Sequence, residues 1–250
     1  MSTIKALIID DEVPAVKTLS LMIQHYLPGI GEVKSTNDPH EGLFLLKSFQ
    51  PHLLFIDIQM PLMSGFELLK QVPQINFNII FTTAHDEYAI DAIRFSALDY
   101  LLKPIDADEL RNSYNRFIQK QESNAGSQPL YNNFMYNINV KNKKDFKLAL
   151  PTLQGTFFYK PEEIIRLEGE SNYTKFFFTN QKQLLTSRTL KEYEEILMNH
   201  NFIRVHKSHI VNKLHVVNYT GDGMLTMTDK SKVEISRRRK EEVVAQLKSV

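Results

Sequence analysis

The sequence predicts an α/β domain with a doubly wound parallel sheet, followed by a second, mostly β domain. In residues 1–120, short apolar runs alternate with amphipathic helical patterns, which is typical of a parallel sheet covered by helices. From about residue 145 the helical periodicity nearly disappears, and β-rich runs separated by turn signals replace it. A chain of 250 residues is also long enough for two compact cores. We therefore predict domains over 1–120 and 145–250, joined by a linker over 121–144.

Five short runs are the candidate strands of the first domain. Four of them are apolar, which indicates strands covered on both faces, and the second, more polar run indicates an edge strand. The runs cover residues 6–9, 32–35, 53–56, 78–82 and 100–102. Helical patterns fill the intervals at about 12–27, 38–49, 65–72, 86–97 and 107–120. Asp38 and Asp106 are placed to cap the second and fifth helices, so the domain is predicted to be (βα)5.

Polar side chains follow four of these strands at their carboxyl ends. They are Asp10, Asp11, Asp57, Thr83 and Lys103. Taken singly, each has a structural explanation as a helix cap, a turn residue, a strand end or a surface residue. The carboxyl ends of parallel strands meet at one rim, where open α/β sheets bind ligands. Their joint placement therefore favours a single site.

Clustered carboxylates repel one another, and hard oxygen ligands of this kind suit Mg²⁺. A carboxylate beside such an ion can act as a nucleophile toward phosphorus. Asp57 is the best candidate because it is central in the set. Lys103 can neutralise a phosphoryl oxygen and Thr83 can donate a hydrogen bond to another.

These residues, with Pro61, Gly65, Ala84 and the segment 100–104, form a pattern that resembles the receiver domain of two-component response regulators. The similarity spans residue 4 to about 120 and implies a flavodoxin-like fold. It implies phosphoryl transfer from a histidine kinase to Asp57 and a cis peptide bond before Pro104. The implied Mg²⁺ ligands are Asp10, Asp11, Asp57 and the backbone carbonyl of Gln59.

The same resemblance implies a switch. The Thr83 hydroxyl would swing toward the phosphoryl group, and Tyr100 would turn inward to fill the vacated space. The affected face would comprise the fourth helix, fifth strand and fifth helix, roughly 86–98 and 100–117, and this face would form a homodimer on activation. From sequence alone, Tyr100 could equally be a half-buried strand aromatic.

Composition narrows the class of protein further. With 42% hydrophobic and 24% charged residues, both halves are expected to fold. The absence of cysteine excludes disulfides and thiolate metal sites. The N-terminal apolar run is too short for a signal peptide, and no stretch approaches ~18 apolar residues, so a cytoplasmic protein without membrane contact is expected.

Charge is divided unequally between the halves. Residues 1–120 contain 10 basic and 15 acidic residues, whereas 121–250 contain 20 basic and 14 acidic residues. An acidic half followed by a basic half is expected where one domain handles cations and the other approaches a polyanion, although chance can produce the same imbalance.

The predicted linker, 121–144, is short of long apolar runs and rich in small polar residues. Phe134, Tyr136 and Ile138 alternate within it as a short strand might. In the second domain we predict strands at 156–159, 164–168, 173–178, 183–186, 209–212, 216–219, 224–228 and 232–235. Helices are predicted at about 189–198 and 237–248.

Three basic or hydrogen-bonding clusters stand out in the second domain, at 171–175, 204–209 and 236–240. Lys and Arg supply attraction to phosphates, while Asn, His and Arg also reach base edges. The candidate DNA-binding residues are Asn172, Tyr173, Lys175, His206, Lys207, Ser208, Arg237, Arg238 and Arg239. Arg238 and Lys207 are the predicted base contacts. Solvated turns are the alternative explanation.

Residues 145–250 resemble the LytTR DNA-binding domain, most specifically in 202–212 and in the Ser236-Arg237-Arg238 segment. The resemblance implies a β-fold whose loops enter successive major grooves of double-stranded DNA. It also implies two copies of the domain on paired repeats. Lys207 and His209 occupy positions that vary within such domains, so base preference stays open.

Together these features predict a response regulator that accepts a phosphoryl group on Asp57 and regulates transcription through sequence-specific DNA binding. One alternative is a phosphorylation-switched RNA-binding or protein-docking module. Another is an enzyme, for instance a phosphatase that uses Asp57. The C-terminal half has no cysteine, metal-ligand spacing or Gly-rich phosphate loop, so an output without enzymatic turnover is expected.

Overall fold

A computed structural model of the chain describes residues 3–84, 93, 96, 99–122, 127–152 and 154–248. The chain divides into two compact units, Met1–Ile138 and Asn139–Val250. Among the described helices, none combines the length and the hydrophobicity needed to cross a membrane.

The first unit contains a five-stranded parallel sheet. Its strands are β1 (Ile4–Ile9), β2 (Ile30–Thr36), β3 (Leu53–Asp57), β4 (Asn78–Thr83) and β5 (Asp99–Leu102). They lie in the order β2-β1-β3-β4-β5, and every pair is parallel. This is the doubly wound order with a topological switch between β1 and β3. The predicted fold class is confirmed, and the polar strand β2 lies at the edge.

Helices connect and cover these strands. They are α1 (Val13–Tyr26), α2 (Pro39–Phe49), α3 (Gly65–Lys70), α4 (Ala107–Glu122) and α5 (Ser127–Asn139). Asp38 caps α2 by accepting a hydrogen bond from the His40 amide at 2.8 Å. Asp106 accepts hydrogen bonds from the amides at the start of α4, as predicted. The predicted helix at 86–97 lies outside the described residues except at positions 93 and 96.

One face of the sheet packs against α1 and α4. Phe55 and Ile80 contribute to this core from the sheet, Ile23 from α1 and Phe117 from α4, and all four are almost fully buried. Burial of apolar surface on this scale supplies most of the stability of such a unit. It also fixes the strand ends that carry the polar residues.

The segment predicted as a linker contains helix α5, so the short strand suggested by the alternation of Phe134, Tyr136 and Ile138 is wrong. The apolar side chains recur at helical spacing and bury one face against the first unit. Phe134 is fully buried, with ring centroids 5.0 Å from Phe66 and 5.2 Å from Phe81. Packing therefore overrides the low helix propensity of a segment rich in asparagine.

Polar groups also hold α5 in place. The amides of Asn133 and Asn137 donate hydrogen bonds to the Ser96 hydroxyl at 3.3 and 3.0 Å. The Gln128 side chain accepts a hydrogen bond from the Ile75 amide at 2.7 Å. Helix α5 is thus an integral part of the first unit.

The second unit is mostly β. Its strands are β6 (Leu148–Thr152), β7 (Gly155–Tyr159), β8 (Ile164–Glu170), β9 (Tyr173–Phe178), β10 (Gln183–Thr186), β11 (Phe202–His206), β12 (His209–Asn212), β13 (Val216–Tyr219), β14 (Met224–Met227) and β15 (Lys232–Glu234). They form an antiparallel sheet in the order β10-β9-β8-β12-β11, a three-stranded sheet of β13, β14 and β15, and the β6-β7 hairpin. The eight predicted strands are present, and β6 and β11 were not predicted.

Two α-helices accompany these sheets, α6 (Leu190–Leu197) and α7 (Lys240–Lys248). Short 3-10 segments occur at Lys143–Asp145, Pro161–Glu163, Lys213–His215 and Arg237–Arg239. The helix predicted over 237–248 therefore begins with a 3-10 turn, which carries the three consecutive arginines.

Candidate functional site

The carboxylates predicted to meet at the rim of the parallel sheet do so. Asp10 follows β1 and Asp57 ends β3, the two strands at the topological switch. One oxygen from each of Asp10, Asp11 and Asp57 can be chosen so that all three atoms lie within 4.8 Å of one another. Oxygen donors so arranged fit a hard divalent cation such as Mg²⁺.

Lys103, directly after β5, places its ammonium against this cluster. Its Nζ lies 2.6 Å from Asp57 Oδ2 and 3.0 Å from Asp10 Oδ2. Burial raises the pKa of Asp10 above its usual range, although hydrogen bonds from Lys103 and the Glu12 amide act in the opposite direction. Burial alone would lower the pKa of Lys103, but its bonds to the two carboxylates outweigh this effect and raise it. One ammonium therefore balances only part of the carboxylate charge, which leaves the rim attractive to a cation.

The loop after β3 is built around Asp57. The backbone amide of Gln59 donates a hydrogen bond to Asp57 Oδ1 at 3.1 Å. Gly65 begins α3 so close to this strand that a Cβ atom there would lie 2.2 Å from the Asp57 carbonyl oxygen. Only glycine fits this approach, which explains in physical terms the glycine of the sequence pattern.

Thr83 ends β4 at the same rim and is fully buried. Within the described part of the chain, its Oγ1 has no hydrogen-bond partner. A buried hydroxyl without a partner is uncommon and calls for an explanation, such as an incoming ligand. The Thr83 backbone carbonyl accepts a hydrogen bond from the Lys103 backbone amide at 2.8 Å, so β4 and β5 hold the two residues together.

Tyr100 lies on β5 beside Phe81 of β4 and is half-buried. The Lys103-Pro104 peptide bond is cis, as the resemblance implied. Asp10, Asp11, Asp57, Thr83 and Lys103 are thus gathered as predicted, on strand ends.

In the second unit, three turns carry the predicted DNA-binding residues, and backbone hydrogen bonds join them. The Gly169 amide, near the β8–β9 turn, donates to the Ser208 carbonyl in the β11–β12 turn at 2.9 Å. The Ser236 amide, just before the arginine turn, donates to the Val205 carbonyl of β11 at 2.9 Å. The three clusters therefore lie along one edge of the unit.

The β8–β9 turn presents Asn172 and Tyr173, both exposed. Lys175 is half-buried, with its ammonium 5.4 Å from the centroid of the Phe177 ring. The turn and the start of β9 therefore offer an amide, an aromatic ring and a cation. These are groups that contact phosphates and base edges in nucleic-acid complexes.

In the β11–β12 turn, His206 is oriented by Ser208. His206 Nδ1 lies 2.8 Å from Ser208 Oγ and accepts a hydrogen bond from the Ser208 amide at 3.3 Å. Because a backbone amide only donates, Nδ1 is the acceptor, and a neutral ring carries its proton on Nε2. Lys207, between them, is exposed.

The arginine turn, Arg237–Arg239, divides its side chains between two environments. Arg237 and Arg238 are exposed. Arg239 is more buried, and its Nη1 lies 3.4 Å from the Arg204 carbonyl and 3.9 Å from Glu194 Oε1. No sequence motif marks Glu194, because its contact with Arg204 arises only when helix α6 packs beside β11.

Comparison with known proteins agrees with the division into two units. The family model of the response regulator receiver domain matches residues 6–115, and that of the LytTr DNA-binding domain matches 154–248. The transcriptional regulatory protein LytR of Staphylococcus aureus strain MW2 is 30% identical over 243 residues, covering 93% of this chain and 94% of that protein. The sensory transduction protein LytR of Staphylococcus haemolyticus is 28% identical over 247 residues, with the same coverage.

Solved structures are similar to one unit at a time. A response regulator receiver domain protein from Clostridium thermocellum is 26% identical with a TM-score of 0.41, covering 48% of this chain and 97% of that one. The LytTr DNA-binding domain of a Bacillus cereus response regulator is 24% identical with a TM-score of 0.36, covering 42% and 97%.

Proposed function

The chain belongs to the two-component response regulators that join a receiver domain to a LytTR DNA-binding domain, and on that basis we propose that Asp57 is its phosphoryl acceptor. The protein acts as a transcription regulator by binding DNA. In the proposal, residues 1–120 form the receiver and 145–250 the DNA-binding domain. This proposal is carried by the convergence of three carboxylates, an ammonium and a buried hydroxyl at one rim, where the hydroxyl has no hydrogen-bond partner among the residues that the structure describes.

In the proposed reaction, an Asp57 oxygen attacks the phosphorus of a phosphohistidine on a histidine kinase. The new O–P bond forms as the P–N bond breaks, and the kinase histidine leaves with the electron pair. Mg²⁺, held by Asp10, Asp11, Asp57 and the Gln59 carbonyl, would offset charge on the transferring oxygens. The backbone amide of Gln59, which donates a hydrogen bond to Asp57 Oδ1, orients the carboxylate for attack.

Lys103 and Thr83 then sense the new group. The Lys103 ammonium, shared between Asp57 and Asp10 before the reaction, pairs with a phosphoryl oxygen. The Thr83 hydroxyl gains the partner that it lacks among the described residues. Tyr100 turns into the space that Thr83 vacates. These movements favour pairing of two receivers through the segments 86–98 and 100–117.

Pairing of receivers supplies two DNA-binding domains, which suits paired repeats on double-stranded DNA. The proposed base contacts are Arg238 and Lys207, with Asn172, Tyr173, Lys175, His206, Ser208, Arg237 and Arg239 as further contacts. This output requires no turnover, because the protein itself ends as the modified product. Because chromosomal DNA is the ligand, the cytoplasm is the proposed place of action.

The acceptor assignment is tested by Asp57→Asn. We expect this variant to lose hydroxylamine-sensitive labelling by a small phosphodonor in Mg²⁺, because an amide is a poor nucleophile and a weaker metal ligand. Asp38→Asn is the matched control, because Asn caps a helix about as well as Asp and Asp38 is not one of the three clustered carboxylates. Undiminished labelling of Asp57→Asn would exclude Asp57 as the acceptor.

The output is tested separately by mapping bound chromosomal DNA for the wild type and for Asp57→Ala. We expect sequence-specific sites whose occupancy falls in the variant. A protein that retains RNA or a protein partner, but no duplex DNA over a range of salt concentrations, would favour the RNA-binding or docking alternative.

A further inference from the structure

Arg204 of β11 donates hydrogen bonds to two consecutive carbonyls of the turn that carries His206, Lys207 and Ser208. Its Nε donates to the His206 carbonyl at 3.2 Å, and its Nη2 donates to the Lys207 carbonyl at 2.5 Å. The ladder between β11 and β12 is irregular between Arg204 and His206, so it supports the strand only in part at this point. The guanidinium therefore supplies hydrogen bonds to carbonyls beyond the regular pairing.

Glu194 holds this guanidinium from the other side. Arg204 Nη1 lies 2.5 Å from Glu194 Oε2, and only 16% of the Arg204 side chain is exposed. All three guanidinium nitrogens thus donate to acceptors within the protein. Three of its five N–H donors are thus used within the protein, and the side chain is mostly buried beside the proposed interface.

The same pair reaches the arginine turn. Glu194 Oε1 lies 3.9 Å from Arg239 Nη1, and this nitrogen also donates to the Arg204 carbonyl at 3.4 Å. Two of the three DNA-facing turns are therefore connected through one carboxylate and one guanidinium. The Arg204–Glu194 contact is the short, charge-assisted hydrogen bond of this group, and the 3.9 Å contact of Glu194 with Arg239 is a longer ion pair.

We propose that Arg204 and Glu194 act as a positioning clamp, which holds the His206–Ser208 turn and the arginine turn in the relative geometry that specific DNA binding requires. Neither residue contacts DNA in this proposal. The inference rests on the proposed use of these turns for DNA contact. It assigns a function to an acidic residue at an interface where a negative charge would otherwise only repel DNA.

Glu194→Gln separates the clamp from simple electrostatics. Removing a negative charge near DNA should raise affinity for every sequence if charge alone matters. The clamp requires the opposite for a specific site, because a neutral amide holds the Arg204 guanidinium less firmly. We expect affinity for the specific site to fall about tenfold, while affinity for random DNA stays equal or rises slightly.

The measurement uses the full chain and a duplex that the wild-type protein selects from a randomised library, with random duplex of equal length as the reference. Glu195→Gln is the matched control, because it removes the same charge from an exposed position on the same helix, α6. The control should preserve the ratio of specific to random affinity. Equal thermal stability of both variants shows that the ratio reports geometry rather than loss of fold.

Arg204→Lys provides a second test, because lysine keeps the charge and cannot make the three separate bonds. We expect it also to lower the ratio, and the double variant with Glu194→Gln should lose little more than either single variant, since both act on one interaction. A fully additive double variant, or a Glu194→Gln protein that binds the selected duplex as tightly as wild type, overturns the clamp. A wild-type protein that selects no duplex overturns the proposed DNA contacts themselves.

Discussion

Asp10 and Asp57 at the rim of the parallel sheet are almost fully buried, whereas Arg237 and Arg238 in the second unit are exposed. At the rim, the carboxylates share a single ammonium, that of Lys103. On the turns of the second unit, the side chains of Lys207, Arg237 and Arg238 are exposed to solvent. Buried negative charge at the rim is thus compensated by a protein partner, whereas the exposed positive charge of these two arginines is solvated by water.

This difference separates a switch from a binding surface. A buried charge must be compensated by other groups inside the protein, so a change in one group alters the electrostatic environment of its neighbours. Exposed cations are solvated individually, so their contributions to DNA binding are graded and depend on salt. We therefore expect substitutions at the rim to abolish a response, and substitutions on the turns to reduce an affinity by degrees.

Lys103→Ala should produce the largest effect. We expect the variant to retain Mg²⁺ binding, because the carboxylates remain, and to lose phosphorylation-dependent DNA binding. The ammonium is needed chiefly once the phosphoryl charge arrives. Binding of the selected duplex, measured with and without a small phosphodonor, tests this expectation.

Lys70→Ala, at an exposed position at the end of α3, is the matched control and should respond like wild type. A Lys103→Ala protein whose DNA binding still rises on phosphorylation would remove Lys103 from the switch. The expectation that substitutions at the rim abolish the response would then be wrong for Lys103.

Phe134→Ala tests whether helix α5 belongs to the buried part of the molecule. The side chain is fully buried between Phe66 and Phe81, so truncation should lower the free energy of unfolding of the first unit by about 3–5 kcal/mol. Hydrogen exchange at the amides of β4 in urea measures this change. Asn132→Ala, exposed on the same helix, should shift it by less than about 0.5 kcal/mol. Equal effects would mean that α5 is a loosely held linker.

The first unit could be predicted in detail because its strands are apolar and its helices have a clear period. The positions of Asp57 and Lys103 followed from the rule that parallel strands end at one rim. Helix α5 was missed, because its asparagines and the preceding polar stretch are typical of a linker. The spacing of Leu130, Tyr131 and Phe134 was the signal that could have identified it.

In the second unit, eight strands were visible as β-rich runs, but β11 was hidden within a basic cluster. Its last three residues were interpreted as part of the basic cluster at 204–209, although the strand pairs with β12. The partnership of Arg204 with Glu194 depends on how α6 packs on this sheet. The two residues are ten positions apart on consecutive elements, a spacing that leaves no periodic pattern in a single sequence.

Arg238→Ala should give the smallest of these effects and tests the graded behaviour of the turns. Arg238 is exposed and forms no ion pair with the residues that the structure describes, so its removal should leave the fold intact. If its guanidinium reaches a guanine in the major groove, affinity for the selected duplex should fall by about 1–3 kcal/mol and preference should relax at one base position. If it contacts a phosphate, affinity for specific and random duplexes should fall alike, and the salt dependence should decrease by about one counterion. Competition binding at several salt concentrations separates these outcomes, with Lys182→Ala as the control, because Lys182 is exposed and lies beyond the opposite end of β9 from the β8–β9 turn. An unchanged affinity for both duplexes would exclude the arginine turn from the interface at this position.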